Sequence, residues 1–174
     1  MNNRWFMMTV VGKDQVNIVA RVTQQLYEAN CELGEASMLR LGGNFSIMMM
    51  VAFAGDALEL EAMMSSVADD MDLRVHVDVI EGQLHAHSLP DVCVHVSGAD
   101  RPGIVAQVAG ALAKAGLSIL DLESDVAGSE QSPIYVMQIE GCATLGIEAL
   151  EKAIADLDKN GLDVSLNPIE TLIG

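Results

Sequence analysis

The sequence contains the same unit twice. Residues 12–20, GKDQVNIVA, align with residues 98–106, GADRPGIVA, at a constant difference of 86 positions. The same register extends to Glu35 and Asp121. A chain that repeats itself in this way folds as copies of one supersecondary unit, so this repeat constrains the fold more than any single motif.

The repeat divides the chain into two domains of similar length. Between the copies, residues 81–90 lose both helical and strand periodicity and end in Pro90. We therefore predict a first domain at residues 1–80, a linker at residues 81–90 and a second domain at residues 91–174.

Each copy alternates strand and helix patterns in the same order. After the first strand, apolar residues recur at helical spacing, as at Ile18, Val22 and Leu26. Gly42 and Gly43 lie between two β-rich runs and predict a hairpin, and residues 128–133 predict a longer one in the second copy. A second helix is expected from Asp56 to about Asp70 and from Leu145 to about Lys159.

This order of elements predicts an α+β protein made of two ferredoxin-like βαββαβ domains in tandem. Right-handed crossovers place both helices on one face of each four-stranded antiparallel sheet. Residues 47–53 are apolar on both sides of the strand, so we expect contact between units, within the chain or in a homodimer. The alternative is that these methionines fill an irregular core.

The chain is strongly acidic, with 9 basic and 25 acidic side chains and a net charge of −16. Such a surface repels phosphate backbones, so we expect no direct nucleic-acid binding. The apolar stretch at residues 45–55 is far shorter than the roughly 20 residues of a membrane span. Three cysteines without C-x-x-C spacing and the absence of a secretory signal predict a cytoplasmic protein that binds no membrane.

The turn at residues 98–104 carries the candidate chemistry. Pro102 suits the first turn of a helix, where its missing N–H costs nothing. The free backbone amides expected at this helix start form an anion pocket and belong to Gly103, Ile104 and Val105. Asp100 supplies an opposite charge for an ammonium group. The turn therefore fits the carboxylate and ammonium of a small amino acid better than a phosphate.

The turn could be an amino-acid pocket, as above, or it could have a purely structural role. Asp100 is a favoured capping residue and could simply cap the helix, with Gly103 relieving crowding. If the backbone pocket is real, we expect Gly103→Val to abolish binding and to leave the fold intact.

The sequence Asp-Arg-Pro-Gly-Ile-Val at residues 100–105, after the first strand of a duplicated βαββαβ unit, resembles the ACT domain. Two such modules with a short linker are similar to the glycine cleavage system transcriptional repressor family. The resemblance implies a cytoplasmic, glycine-responsive repressor that acts through a DNA-binding transcriptional activator. It also implies ligand contacts from Gly98, Asp100, Arg101, Pro102, Gly103 and Ile104, with Ile119, Leu120 and Asp121 facing the same pocket.

The first copy departs from this pattern. Gly12, Asp14 and Ile18 are retained, whereas Gln15, Val16 and Asn17 replace the Arg-Pro-Gly of the second copy. The Asn17 side chain can block access to the backbone, or its amide can bond the ligand directly. The sequence leaves both open.

Other candidate sites are weaker. His85 and His87 lie in the linker without a third donor, so we expect no metal. Cys93 and His95 share one strand face but lack an orienting carboxylate or oxyanion-hole motif. We therefore expect neither cofactor nor catalysis. The rival interpretations are a regulatory subunit that gives a biosynthetic enzyme amino-acid feedback control, similar to acetolactate synthase small subunits, and a small enzyme.

Overall fold

The chain divides into two compact units, Met1–Ala86 and His87–Gly174. The computed structural model describes residues 3–80, 88–129, 131–159 and 161–169. Residues 81–87 of the predicted linker, including His85 and His87, lie outside the described residues, so the predicted domain limits stay predictions. In the part of the chain that is described, no helix is long and apolar enough to cross a membrane.

The first unit has the predicted βαββαβ order, with one additional helix. Its strands pair antiparallel in the order β2-β3-β1-β4. The elements are β1 (Arg4–Lys13), α1 (Ile18–Glu28), β2 (Glu32–Leu41), β3 (Asn44–Phe53), α2 (Ala57–Met63), α3 (Ser65–Asp70) and β4 (Leu73–Val79).

The second unit repeats this topology with the strand order β6-β7-β5-β8. The predicted α+β fold of two ferredoxin-like units is confirmed. The elements are β5 (Val92–Ala99), α4 (Ile104–Lys114), β6 (Leu117–Ser129), β7 (Ser132–Ala143), α5 (Ile147–Asp158) and β8 (Leu162–Pro168).

Each unit has its own apolar core, formed where the helices cover the sheet. The predicted helical stripe is confirmed, because Ile18, Val22 and Leu26 in α1 are buried. Their counterparts in α4 are buried in the same way. Burial of these stripes against the central strands fixes the angle at which each helix leaves its β–α turn, and the turn carries the candidate site.

The predicted single helix from Asp56 to about Asp70 is wrong, because it is two helices that meet at Met64. Asp56 begins α2 with a capping box, in which its carboxylate accepts from the Glu59 backbone and the Glu59 side chain accepts from the Asp56 backbone. Leu60, Met64 and Val67 are all buried, so the break keeps the apolar stripe on the sheet.

The two hairpins differ in length. Gly42 and Gly43 both have positive φ, 55° and 76°, which is the two-residue turn that matches the twist of paired strands. The second hairpin was predicted to turn over residues 128–133, but the strands continue until Ser129 pairs with Ser132. The turn is therefore shorter than predicted, and Glu130 in it lies outside the described residues.

In each unit, one face of the sheet points away from the helices. This face differs in chemistry between the two units. In the first unit this face carries Leu39 and Met48, which are about half exposed, beside Met7 and Met50. In the second unit the register puts His95, Gln138 and Glu123 on the corresponding face. The prediction of an apolar second face is confirmed for the first unit, and the contact expected to cover it stays a prediction.

Candidate functional site

Both β–α turns end in a residue with left-handed backbone. Asn17 has φ 79° and ψ 6°, and Gly103 has φ 86° and ψ 1°. A left-handed residue cannot belong to a right-handed helix, so the helices begin one residue later, at Ile18 and Ile104. The prediction that Pro102 lies in the first helical turn is therefore wrong, because Pro102 lies in the turn before it.

This start changes which backbone amides are available. The Ile104 N–H points to the Arg101 carbonyl oxygen at 3.4 Å, so it is not the free donor that was predicted. Gly103 is the N-cap residue of α4, and because it has no side chain it cannot accept a hydrogen bond from the backbone N–H groups of the first helical turn. The amides left for a ligand are those of Gly103, Val105 and Ala106.

The backbone at Gly103 is open on its outer side. A Cβ built there meets no other atom within 4 Å, so crowding is not the reason for glycine at this position. Its positive φ is the reason, because residues with a side chain adopt this conformation at a cost. Asparagine is among the residues that tolerate it best, which explains Asn17 at the equivalent position.

The two turn carboxylates have different surroundings. Asp14 bonds to the Arg40 guanidinium, and its backbone N–H donates to the Gly43 carbonyl at 3.0 Å. The Asp100 backbone N–H donates to the Pro133 carbonyl at 3.3 Å, but no described residue donates to its carboxylate. The helix cap is Gly103, three residues later, so the alternative in which Asp100 caps α4 is wrong.

The strand glycines before the turns are explained by packing. A Cβ at Gly12 would lie 2.6 Å from the Leu73 Cδ2 atom, and one at Gly98 would lie 2.7 Å from the Leu162 Cδ2 atom. Each glycine pairs directly with that leucine across the sheet. Packing against the neighbouring strand therefore explains these two glycines, and their contact with a ligand stays a prediction.

The arginine of the second turn, Arg101, contacts the helix that follows it, α4. The Arg101 guanidinium donates to the Gln107 side-chain oxygen at 2.6 Å. Its counterpart in the first unit, Gln15, donates to the Met71 carbonyl at 2.7 Å and connects that turn to the end of α3. The residue types differ and so do the partners.

Strand β6 approaches the second turn with its last residues. Gly98 pairs with Tyr135 and Tyr135 with Val126, whereas Val92 at the other end of β5 pairs with Gly141 and through it with Ile119. Six residues of strand separate the two ends, or about 20 Å. Within the unit, the structure does not bring the predicted Ile119, Leu120 and Asp121 to the turn.

A bulge also separates those three predicted residues from one another. The register shifts between Ile119 and Asp121, and Asp121 then pairs with Glu140 on the face away from the helices. The physical reason for this separation within the unit is the direction of the chain, since α4 carries it from the turn to the far end of the sheet before β6 returns.

An open cleft of about 360 Å³ lies at the turn of the first unit. It brings together the predicted Asp14, Asn17 and Ile18 with the last part of β2. The strand residues that sequence reasoning missed are Met38, Arg40 and Phe45. The signal that finds them is the antiparallel register, because Gly12 pairs with Phe45 and Phe45 with Arg40.

The cysteine and histidine on β5 lie within contact distance of each other. The Cys93 Sγ atom is 3.8 Å from the His95 Nε2 atom, and Cys93 is buried. Burial and the nearby Glu140 carboxylate raise the pKa of Cys93, which favours the unreactive thiol over the thiolate. In the described residues, no group of three or more histidine, cysteine, aspartate or glutamate side chains is arranged for a metal.

Comparison with known families decides what this duplicated unit is. The model of the ACT domain matches residues 4–78, and a second ACT-domain model matches residues 94–159. The chain belongs to the ACT-domain family. It is a tandem ACT-domain protein, and each of its two turns joins the first strand of an ACT domain to the first helix of that domain.

Relatives of single-domain size match part of the chain. A UPF0237 protein of Listeria monocytogenes is 32% identical over 73 residues, which is 40% of this chain and 82% of the relative. A UPF0237 protein of Bifidobacterium longum is 34% identical over 71 residues, which is 39% of this chain and 79% of the relative.

Two solved structures match nearly the full chain. A protein of unknown function from Galdieria sulphuraria has a TM-score of 0.75 at 21% identity, covering 97% of this chain and 99% of that one. A candidate glycine cleavage system transcriptional repressor has a TM-score of 0.70 at 17% identity with the same coverage. At these identities the likeness establishes the fold of tandem ACT domains.

Proposed function

We propose that this tandem ACT-domain protein is a non-catalytic, amino-acid-binding regulator that represses the glycine cleavage system in response to glycine. The observation that carries the proposal is the turn at Asp100 and Gly103. It combines a carboxylate that accepts no hydrogen bond from a described residue with an open, left-handed helix start.

The turn supplies both charges that a small amino acid needs. The first-turn amides of Val105 and Ala106 receive the ligand carboxylate, favoured by the positive end of the helix dipole. The Asp100 carboxylate receives the ammonium group. Because Gly103 has no side chain and the space above it is open, a ligand approaches the backbone closely.

The regulatory output passes through another protein. With a net charge of −16, the surface repels nucleic acid, so the proposed partner is a DNA-binding transcriptional activator in the cytoplasm. The apolar sheet face of the first unit supports a homodimer. A ligand that prefers one arrangement of the modules needs a coupling of only about 1–3 kcal/mol to change what the partner contacts.

Calorimetric titration of the full chain with glycine, alanine and serine tests ligand binding. We expect saturable binding of glycine that weakens at least about tenfold in Asp100→Asn, because a charge-assisted contact is lost. Asp163→Asn is the matched control, since it removes an exposed carboxylate from the same unit at β8. Absence of binding by all three amino acids contradicts the proposal.

Affinity purification of partners, with and without glycine, tests the output. Capture of a DNA-binding activator in a glycine-dependent manner supports the repressor. Capture of a biosynthetic enzyme instead favours the alternative of a regulatory subunit that confers amino-acid feedback control.

A further inference from the structure

The sheet face of the first ACT domain that points away from its helices carries a cluster of three methionines. Met7 on β1 pairs directly with Met50 on β3, and Met48 lies two residues from Met50 on the same face. Directly opposed residues have Cβ atoms about 4.5–5.5 Å apart, and diagonal neighbours are separated by about 7–8 Å. The three long, unbranched side chains can therefore bring their sulfur atoms together.

Core packing does not explain these methionines. Met8 and Met49, their neighbours on the same two strands, point toward the helices and are buried in the core. Met48 is 48% exposed, and Met7 and Met50 are half-buried. The thioethers of the cluster are therefore placed at a surface, where an apolar core has no use for them.

An aromatic ring borders the cluster. A Cβ built on Gly34 would lie 3.0 Å from the Trp5 Cζ3 atom and 3.2 Å from the Met50 Cβ atom. Because Gly34 has no side chain, the indole can lie across the sheet beside Met50. Tryptophan is the aromatic residue that attracts cations most strongly. Trp5 is also the single tryptophan of the chain, so its fluorescence reports on this face.

The strand on the other side of Met7 supplies negative charge. Asp78 on β4 pairs directly with Met7, and its carboxylate lies 3.2 Å from the His76 Nε2 atom. The cationic Lys13 and Arg74 lie further along the same face, since Lys13 pairs with the start of β3 and Arg74 with the residue four positions after Met7 on β1. A cation beside Met7 is therefore favoured electrostatically.

We propose that Met7, Met48 and Met50 bind Cu(I) through their thioether sulfur atoms. Thioether sulfur is a soft ligand that selects Cu(I), whereas Mg²⁺ and Ca²⁺ prefer oxygen. Three uncharged ligands leave the single charge of the ion in place, and the Asp78 carboxylate beside Met7 balances it. This ligand set is separate from the linker histidines, for which no metal is expected, and it does not rest on the proposed amino-acid sensing.

The same face is the one proposed for the homodimer. A single ion lies among the three side chains themselves, so it does not require a face that is free of a second copy. Leucine in place of methionine removes the sulfur and keeps the volume and the apolar character. Light scattering of such variants should therefore give the wild-type mass, which separates loss of the ion from loss of the dimer.

Anaerobic titration of the full chain with Cu(I), buffered by a chromophoric Cu(I) chelator and followed by Trp5 fluorescence, tests the site. We expect saturable quenching by Cu(I), because the ion lies beside the indole. Mg²⁺ at the same concentration should cause none. Absence of quenching by Cu(I), or equal quenching by Mg²⁺, overturns the inference.

Variants locate the ligands. Met48→Leu and Met50→Leu should each weaken the Cu(I)-dependent quenching at least about tenfold in Cu(I) concentration, since each removes one of three ligands. Met38→Leu is the matched control, because Met38 is a half-exposed methionine of the same domain that pairs with the buried Ile47 and so faces the helix side of the sheet.

The cysteines are the same in every variant, so a difference between variants reports on the thioethers and not on Cu(I) bound by thiols. Quenching in Met48→Leu and Met50→Leu that matches the wild type overturns the inference. An equal loss in Met38→Leu also overturns it, because that methionine lies on the opposite face.

Discussion

The two ACT domains share a turn and differ in the partner of its carboxylate. Asn17 and Gly103 have the same left-handed backbone, and Asp14 and Asp100 precede them at the same distance in sequence. Asp14 bonds to Arg40, whereas Asp100 has Val126 at that position in the register. A residue on a distant strand, and not the turn motif itself, decides whether the carboxylate is available to a ligand.

The sheet faces show the same divergence on a common backbone. Met48 in the first domain and Gln138 in the second occupy equivalent positions, since Met48 pairs with Thr9 and Gln138 with His95. Duplication has kept the topology and the two cores, and the domains differ in the groups that a ligand or a partner meets.

Charging the apolar face should produce the largest effect. If the homodimer forms through the first domain, Met48→Asp places a charge in the interface, and we expect the dimer to dissociate. Light scattering should then report the monomer mass of 18.5 kDa in place of twice that value. Gln138→Asp at the equivalent position of the second domain is the control and should leave the mass unchanged. An unchanged mass in Met48→Asp contradicts this interface.

A branched side chain at the second turn should destabilise its domain by about 1–3 kcal/mol. Gly103 has φ 86°, so Gly103→Val strains the backbone although the space for a side chain is empty. Gly103→Asn copies the first domain and should cost less than about 1 kcal/mol. Urea unfolding followed by circular dichroism measures both. Equal stability of the valine and asparagine variants contradicts the left-handed turn.

Alanine in place of the two strand glycines should destabilise the two domains by different amounts, and we expect this difference to be smaller than the effects above. At Gly12 a Cβ also lies 3.1 Å from the Asp72 carbonyl oxygen, whereas at Gly98 the nearest backbone atom is 3.7 Å away. Gly12→Ala should therefore cost about 1–2 kcal/mol and Gly98→Ala less. Trp5 is the single tryptophan and lies in the first domain, so its fluorescence follows Gly12→Ala, while urea unfolding followed by circular dichroism measures Gly98→Ala. A larger loss in Gly98→Ala reverses the comparison.

Transplanting the arginine should have the smallest effect on stability. Val126→Arg gives Asp100 the partner that Asp14 has, and an exposed pair stabilises by about 0–1 kcal/mol. The same pair should compete with glycine and weaken its binding severalfold, an effect that high salt reduces. Val126→Gln is the uncharged control. Unchanged glycine affinity in Val126→Arg means that Asp100 does not bind the ammonium group.

The fold could be read from the sequence because its signals are local and repeated. The helical stripe at Ile18, Val22 and Leu26 and the paired glycines at residues 42–43 each fix an element by spacing or turn chemistry. The break at Met64 could not be predicted, because the apolar periodicity runs through it without change.

The candidate site was only half predictable. Three of its residues are close together in sequence, Asp14, Asn17 and Ile18, and the structure brings them to one cleft. Met38 and Arg40 reach the same cleft only through strand register, which depends on where the hairpin turns. The resemblance to the ACT domain places Ile119 at the turn, whereas within the unit the antiparallel return brings the other end of that strand there.

An amide NMR titration of the full chain with glycine tests most directly whether the second turn is an amino-acid site. We predict saturable shift changes centred on Gly103, Val105 and Ala106, and their loss in Asp100→Asn. The account is contradicted if these amides do not move at saturating glycine, or if they move equally in Asp100→Asn.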